Sequence, residues 1–306
     1  MTIIAFTSCA KYQDVPQQEV WDEIAAREPN ALLLLGDNIY LQRDDHSDVA
    51  ELVADLERHY QRQMTQQHFA ALLDSLRALG ATLCATWDDH DAFGDERYGA
   101  DLAPELVAAA RDTFHRWLPV STNKPEIYCR HDVGDACILM LDARSYRTVK
   151  RASTDRNGML GAAQWAWLEA QLAAPPARYT LVCSGSPLYD YRSEGGWLDW
   201  PAARARLIAL LRDRPGTLFV AGDVHDNELG DADGVIEVVS SAVARLGKVK
   251  GWKLGNYGVL ELRPEGVRVK LRGRQKKQQH DTWIPLADWR LPAGASTAKP
   301  NRLIRT

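Results

Sequence analysis

ALLLLGDN, residues 31–38, is the stretch on which the fold turns. Its apolar run shows no alternation of polar and apolar sides, so it reads as a strand buried on both faces, in a sheet covered by helices. Gly36, Asp37 and Asn38 then close the strand with a turn residue and two polar groups. Upstream, QQEVWDEIAARE (17–28) has helical spacing, with Val20, Ile24 and Trp21 toward one face, and Pro29 stops it. Before that, TIIAFTS (2–8) reads as a first strand. Downstream, 47–79 reads as two helices, ATLCATW (81–87) as a strand, and 103–117 as a helix ending before Pro119.

The second half repeats this alternation. EIYCRHDVGD and ACILMLDAR form a strand pair around Gly134-Asp135, LGAAQWAWLEAQLAA is an amphipathic helix stopped by Pro175-Pro176, and RYTLVCSGSP is a strand. PAARARLIALLRD is a helix and TLFVAGDVHD a strand, followed by three short strands in GVIEVVSSA, NYGVLELRP and GVRVKLRGR. Strands and helices alternate first and antiparallel strands follow, which predicts an α/β sandwich of mixed sheets with helices outside. No linker interrupts residues 1–306, so a single domain is expected, with a polar, irregular tail from about 282 where Pro285, Pro292 and Pro300 fall. The basic loop 143–158 reads either as a mobile flap or as a solvated connection.

A chain of 306 residues with 45% hydrophobic and 25% charged residues has the composition of a globular protein with an ample core. Its net charge of −4 gives no general attraction to nucleic acid or anionic membrane. Neither a basic, apolar leader nor an apolar run near the ~20 residues of a membrane span is evident, so a cytoplasmic location is expected. Cys84, Cys129, Cys137 and Cys183 lie in β-like apolar runs and read as reduced core thiols. Cys9 ends a strand and is a separate case.

Strand after strand ends in chemically capable residues: Ser8-Cys9, Gly36-Asp37-Asn38, Asp88-Asp89-His90-Asp91, Asp142 with Arg144, Ser184-Gly185-Ser186, and Gly222-Asp223-Val224-His225. Parallel strands in open α/β sheets bring such ends together. Each piece alone reads as readily as a polar turn. Together in one cleft, the carboxylates of Asp37, Asp89 and Asp223 would repel one another unless protons or cations relieved them, and with His225 beside them one or two metals are the simplest relief. Ser184 or Ser186 as a hydrolase nucleophile is the weaker alternative, because the Gly-x-Ser-x-Gly elbow is missing.

The motifs FTSC (6–9), GDNIY (36–40), WDDHD (87–91), LDARSYR (141–147), LGAAQWAWL (160–168) and AGDVH (221–225) resemble those of the calcineurin-like metallophosphoesterase superfamily, in its PhoD (alkaline phosphatase D) branch. The resemblance implies a four-layer α/β/β/α sandwich of two mixed sheets. It implies two or more metal ions. Iron is expected at a site formed by Cys9 and Tyr40, and calcium, magnesium or manganese at a second. Asp37 is expected to bridge, Asp89, Asp223 and His225 to ligate, and Asp88 and Asp91 to orient them. His90 takes the place of the leaving-group acid, while Arg144 stands either as a phosphate ligand or as a structural ion pair. A histidine usual at one strand end is absent, with Ser184 or Ser186 near its place. The implied reaction is hydrolysis of a small phosphate ester, with two metals ~3.5–4 Å apart activating hydroxide. Asn38, Tyr189, Arg192 and Trp197 are candidate substrate contacts, and an aromatic wall there would favour a diester. A degenerate, binding-only member of the superfamily is the competing expectation.

Overall fold

A computed structural model describes residues 1–43, 45–148, 154–189, 196–247, 253–274 and 279–297. Strands and helices are numbered in chain order. The first sheet contains the parallel strands β1 (Thr2–Thr7), β2 (Ala31–Leu35) and β3 (Thr82–Thr86). It continues antiparallel from β1 into β10 (Tyr257–Arg263), β11 (Gly266–Arg272) and β12 (His280–Pro285). In the second sheet β5 (Ala136–Met140), β6 (Tyr179–Ser184), β7 (Thr217–Ala221) and β9 (Val235–Ser240) run parallel. The antiparallel strands β4 (Cys129–Val133) and β8 (Asn227–Ala232) form its edges.

Both faces of each sheet are covered, as the unbroken apolar run of β2 requires. Leu33 and Leu35 join Ile4, Phe6, Ile138, Met140, Leu181 and Val220 in a core between the sheets. Leu32 and Leu34 face the other way, into a core closed by α1 (Val20–Ala25), α2 (Val49–Met64), α3 (Gln67–Leu79) and α4 (Pro104–Trp117). The outer face of the second sheet is covered by α5 (Gly161–Ala173) and α6 (Pro201–Leu211). The result is the four-layer α/β/β/α sandwich of two mixed sheets expected from the sequence.

Four details depart from expectation. The α1 helix is shorter than 17–28, because Gln18 and Glu28 take left-handed φ of 43° and 47° and turn the chain out at both ends. The edge strand β8 is not expected from the sequence, because NELGDA has no apolar alternation. The tail expected from about 282 begins inside β12, whose last residue is Pro285; an edge strand tolerates a proline that a central one would not. In loop 143–158 the basic residues do not all face water: Arg144 and Arg147 are fully buried, and residues 149–153 lie outside the described part.

The parallel strands deliver their C-terminal ends to one edge of the sandwich, where the sheets touch. The Thr86 hydroxyl donates to the Leu141 carbonyl at 2.7 Å, and the Ala242 and Val243 amides donate to the Ser8 carbonyl at 3.1 and 3.0 Å. A Cβ on Gly222 would lie 2.5 Å from Ser8 Oγ and 2.7 Å from the Leu35 carbonyl. Only glycine allows the β7 end to come this close to β1 and β2.

Candidate metal centre

Four residues at this edge share an uncommon backbone. Cys9, Asp37, Asp223 and His225 have φ of 61°, 52°, 72° and 55°. Non-glycine residues in that region cost on the order of 1 kcal/mol or more, and such strain gathers where function holds it. The turns aim the side chains of Cys9, Asp37 and His225 inward, where their ligand atoms lie within 4.8 Å of one another. The Tyr40 hydroxyl donates to Asp37 Oδ2 at 2.7 Å and lies 3.4 Å from His225 Nε2. The Cys9 thiol is 3.3 Å from the same Oδ2. Ser241, which sequence reading passed over, donates to Cys9 Sγ at 3.1 Å and accepts the His225 amide at 3.1 Å, joining two motifs distant in the chain.

A second triad shares the same aspartate: ligand atoms of Asp37, Asp89 and His90 lie within 4.8 Å of one another. Asp37 Oδ1 is buried without a hydrogen-bond partner among the described residues. Burial, with Asp89, Asp88, Asp91 and Asp223 around it, holds the Asp37 carboxyl well above the usual range. Burial also raises the Cys9 thiol, reinforced by Asp37 and Asp223. Burial would raise Asp89 as well, but Arg144, His90 and the Glu96 amide outweigh it and keep that carboxyl low. The metal-free centre is thus short of positive charge around Asp37.

The DDHD turn is held by its last residue. Both oxygens of Asp91 are occupied: they accept the amides of Asp88, Asn38 and Ile39 at 2.9, 3.0 and 3.3 Å, the Asn38 side chain at 3.2 Å and the Tyr60 hydroxyl at 3.3 Å. One buried carboxyl group therefore ties the β2 and β3 ends together. Asp89 accepts the amides of His90 at 3.0 Å and Glu96 at 2.6 Å. The His90 ring stacks on Tyr40 with centroids 4.2 Å apart, its Nε2 lies 3.4 Å from Asp95, and its Nδ1 is buried with no partner among the described residues. Burial lowers its pKa despite neighbouring Asp89.

Other expected site residues are placed differently. Arg144 is fully buried, paired through Nε with Asp88, with Nη2 3.8 Å from Asp89. Its candidacy as a phosphate ligand is corrected to the structural ion pair, since no face of it reaches solvent. Replacing it with Met would strand the Asp88 charge, and we expect a loss of about 3–5 kcal/mol in stability by denaturant unfolding. Asn38 is corrected too: its side-chain nitrogen is spent on the Thr86 carbonyl at 2.9 Å and on Asp91. Trp197 lies in the core beside α5, in edge contact with Trp165 and Phe219, and Trp200 is equally buried. Of the aromatic segment 186–201, Trp197 and Trp200 are therefore core packing. Its apolar character at the start of α6 is what closes the outer layer. Tyr189 is half-buried under Arg204, and Arg192 lies outside the described residues.

Asp223 is adjacent to the centre, its amide 3.2 Å from Ser8 Oγ and its carbonyl 3.8 Å from Cys9 Sγ, but its carboxylate enters neither triad. Asp142 serves the loop after β5, accepting the amides of Arg144 and Ser145 and the Trp87 indole N–H at 3.1, 2.9 and 2.8 Å. Ser184 and Ser186 are fully buried, the latter accepting from Arg147 at 2.8 Å, and neither is built as a nucleophile. All five cysteines are buried and free. Among the described residues no helix is long and apolar enough to cross a membrane.

The structure titled "Structure of PhoD" superposes with a TM-score of 0.71 over 98% of this chain and 73% of that one, at 17% identity. A dimetal phosphatase from Danio rerio superposes at 0.59, over 93% of this chain and 99% of its own, at 13% identity. GAP50, described as the anchor in the inner membrane complex of Plasmodium, gives 0.54 over 90% and 86%, at 13%. At such identities the likeness is one of fold. No curated protein sequence matches the chain. The sequence profile of the PhoD-like phosphatases, however, matches residues 4–259, a span that includes every strand end around Asp37. On that match the chain belongs to the PhoD-like phosphatase family.

Proposed function

We propose that the protein hydrolyses small phosphate esters at a dinuclear metal centre built on Asp37. The observation that carries this reading is the pair of triads, Cys9–Asp37–His225 and Asp37–Asp89–His90, sharing one buried carboxylate. The donors fit metal. Asp37 keeps an unsatisfied oxygen, and the repulsion among its neighbours is of the kind cations relieve. Cys9, Tyr40, Asp37 and His225 offer thiolate, phenolate, carboxylate and imidazole, a set suited to iron. Asp37 and Asp89, with Asp223 close by, offer carboxylate oxygens suited to calcium, magnesium or manganese. Bound there, the ions supply Lewis-acid polarisation of the phosphoryl group and a lowered pKa for water.

The chain supplies the rest. Asp91 holds the DDHD turn and Tyr40 stacks on the His90 ring, setting the imidazole beside Asp37 and Asp89, where it can pass a proton to the leaving oxygen. Arg144 and Asp88 act from below as a positioning pair. Trp197 and Trp200 are in the core and line no wall beside the centre that would favour diesters, so the proposed substrates are phosphate esters as a class.

The test is metal analysis by mass spectrometry with assays on bis-p-nitrophenyl phosphate and p-nitrophenyl phosphate, with and without chelator. Iron plus a second divalent ion and chelator-sensitive turnover are expected, and the better ester reads out the preference. No metal after reconstitution with iron, calcium and manganese, together with no turnover, would sink the reading. Stoichiometric metal without turnover of either ester would favour the binding-only alternative. His90→Ala is expected to lower kcat by about 10²–10⁴ with metal content unchanged. Loss of one metal in that variant would make His90 a ligand instead of the acid.

A further inference from the structure

We propose that Lys11 and Arg245 form a subsite for a second anionic group on the substrate, so that the preferred esters carry another phosphate or similar anion beside the one hydrolysed. This rests on the phosphoesterase reading and deepens it. Neither residue belongs to a motif quoted above. They reach the centre because the segments after β1 and β9 are joined there: the Lys11 amide donates to the Ala244 carbonyl at 3.0 Å, and Ala10 bridges Ala244.

Both cations sit against the ring of Tyr40. Lys11 Nζ is 5.4 Å and Arg245 Cζ 4.9 Å from its centroid. The ring also stacks on His90, and its hydroxyl binds Asp37. The pair therefore stands one aromatic ring away from residues of both triads. The side chains are 31% and 20% exposed, unlike the sealed Arg144, so a ligand can reach them.

Charge and geometry leave them incompletely paired. Asp14 serves both, at 3.4 Å from Lys11 and at a long 3.8 Å from Arg245. One carboxylate faces two cations, and Arg245 Nε has no hydrogen-bond partner among the described residues. With Nε buried and its ion pair to Asp14 this long, the guanidinium has its terminal nitrogens to offer a phosphate or carboxylate. The reacting phosphoryl group would lie over Asp37 and Asp89, whereas Lys11 and Arg245 lie against the Tyr40 ring. The anion left for Lys11 and Arg245 is then one borne by the leaving group or by the retained portion of the ester.

The test compares propane-1,3-diol bisphosphate with propyl phosphate, which differ only by the second phosphate, on metal-loaded wild type, Lys11→Ala, Arg245→Ala and the double variant. Released phosphate gives kcat/KM, and calorimetry gives affinity for the same two compounds. Wild type is expected to favour the bisphosphate, mainly through KM, and the preference should shrink with added salt. Each single variant should reduce the ratio of the two kcat/KM values about tenfold, the scale of one charge-assisted hydrogen bond. A wild type without preference, or a ratio unchanged in both single variants, overturns the subsite. Equal losses on both compounds also overturn it and move the cations to the reacting phosphoryl group. If neither compound is turned over, the activity reading fails, and the calorimetric ratio across the same variants still decides the subsite. Lys11 is exposed enough that its variant should fold even if Arg245→Ala, which uncovers Tyr40, does not.

Discussion

Asp37→Asn is expected to strip metal from both positions and to lower kcat/KM by about 10³-fold or more, because a bridging carboxylate serves two Lewis acids that together are worth several kcal/mol. Asparagine keeps the size of the side chain and tolerates the left-handed φ of 52°, so the fold should survive. Its effect on stability should have the opposite sign in metal-free protein. Asp37 is buried among Asp89, Asp88, Asp91 and Asp223, and its ionised form is disfavoured there. Removing the charge takes away that repulsion, so chelated Asp37→Asn should melt at a higher temperature than chelated wild type. Loaded with metal, wild type should be the more stable of the two. The measurement is metal content, kcat/KM on p-nitrophenyl phosphate, and melting with and without chelator. A variant retaining two metals and full turnover would remove Asp37 from the centre. A chelated variant that melts below chelated wild type would show that Asp37 stabilises the empty fold.

Much of this was legible in the sequence, for physical reasons that differ by element. The all-apolar run of β2 could be buried only on both faces, so it announced the covered sheets. Gly36 and Gly222 punctuated strands and so marked where the polar residues would gather. The edge strands β8 and β12 were missed because an edge need bury only one side, and NELGDA and HDTWIP carry polar groups and a proline that argue against a strand. The strand-end acids are visible from spacing, but their division into ligands and orienting groups comes from the family resemblance. Asp37 and Asp89 face each other in the centre, whereas Asp91 and Asp142 are consumed as hydrogen-bond acceptors for loop amides. Spacing alone cannot separate a ligand from an orienting carboxylate. The substrate-contact expectations for Trp197 and Asn38, and the phosphate-ligand alternative for Arg144, fail for a shared reason: a residue near a site in sequence need not face it. Lys11, Arg245 and Ser241 were missed for the converse reason, since they come to the centre through the joining of the β1 and β9 ends, far apart in the chain.

Metal removal should destabilise the protein by an amount that grows with pH. In the empty centre, Asp37 and Asp223 have carboxyl pKa values raised well above ordinary, through burial first and neighbouring carboxylates second. Between the usual carboxylate pKa near 4 and those raised values, the folded state holds protons that the unfolded chain has released. Stability then falls as pH rises, at up to about 1.4 kcal/mol per pH unit for each group. Cations take the place of those protons in the loaded protein, and their affinity increases with pH because the ligands bind deprotonated. Asp89 does not alter the trend, being held low and ionised across the range. Asp91, raised by burial to about 7, is spent on the Asp88, Asn38 and Ile39 amides and the Asn38 and Tyr60 side chains, so metal should change its titration less than that of Asp37. Melting curves of loaded and chelated protein from pH 5 to 8 should therefore diverge, by several degrees at about 2–4 °C per kcal/mol. A constant gap would mean that Asp37 and Asp223 are ionised in the empty fold already. A gap narrowing with pH would mean that no metal replaces their protons, and the centre would have to be redrawn without them.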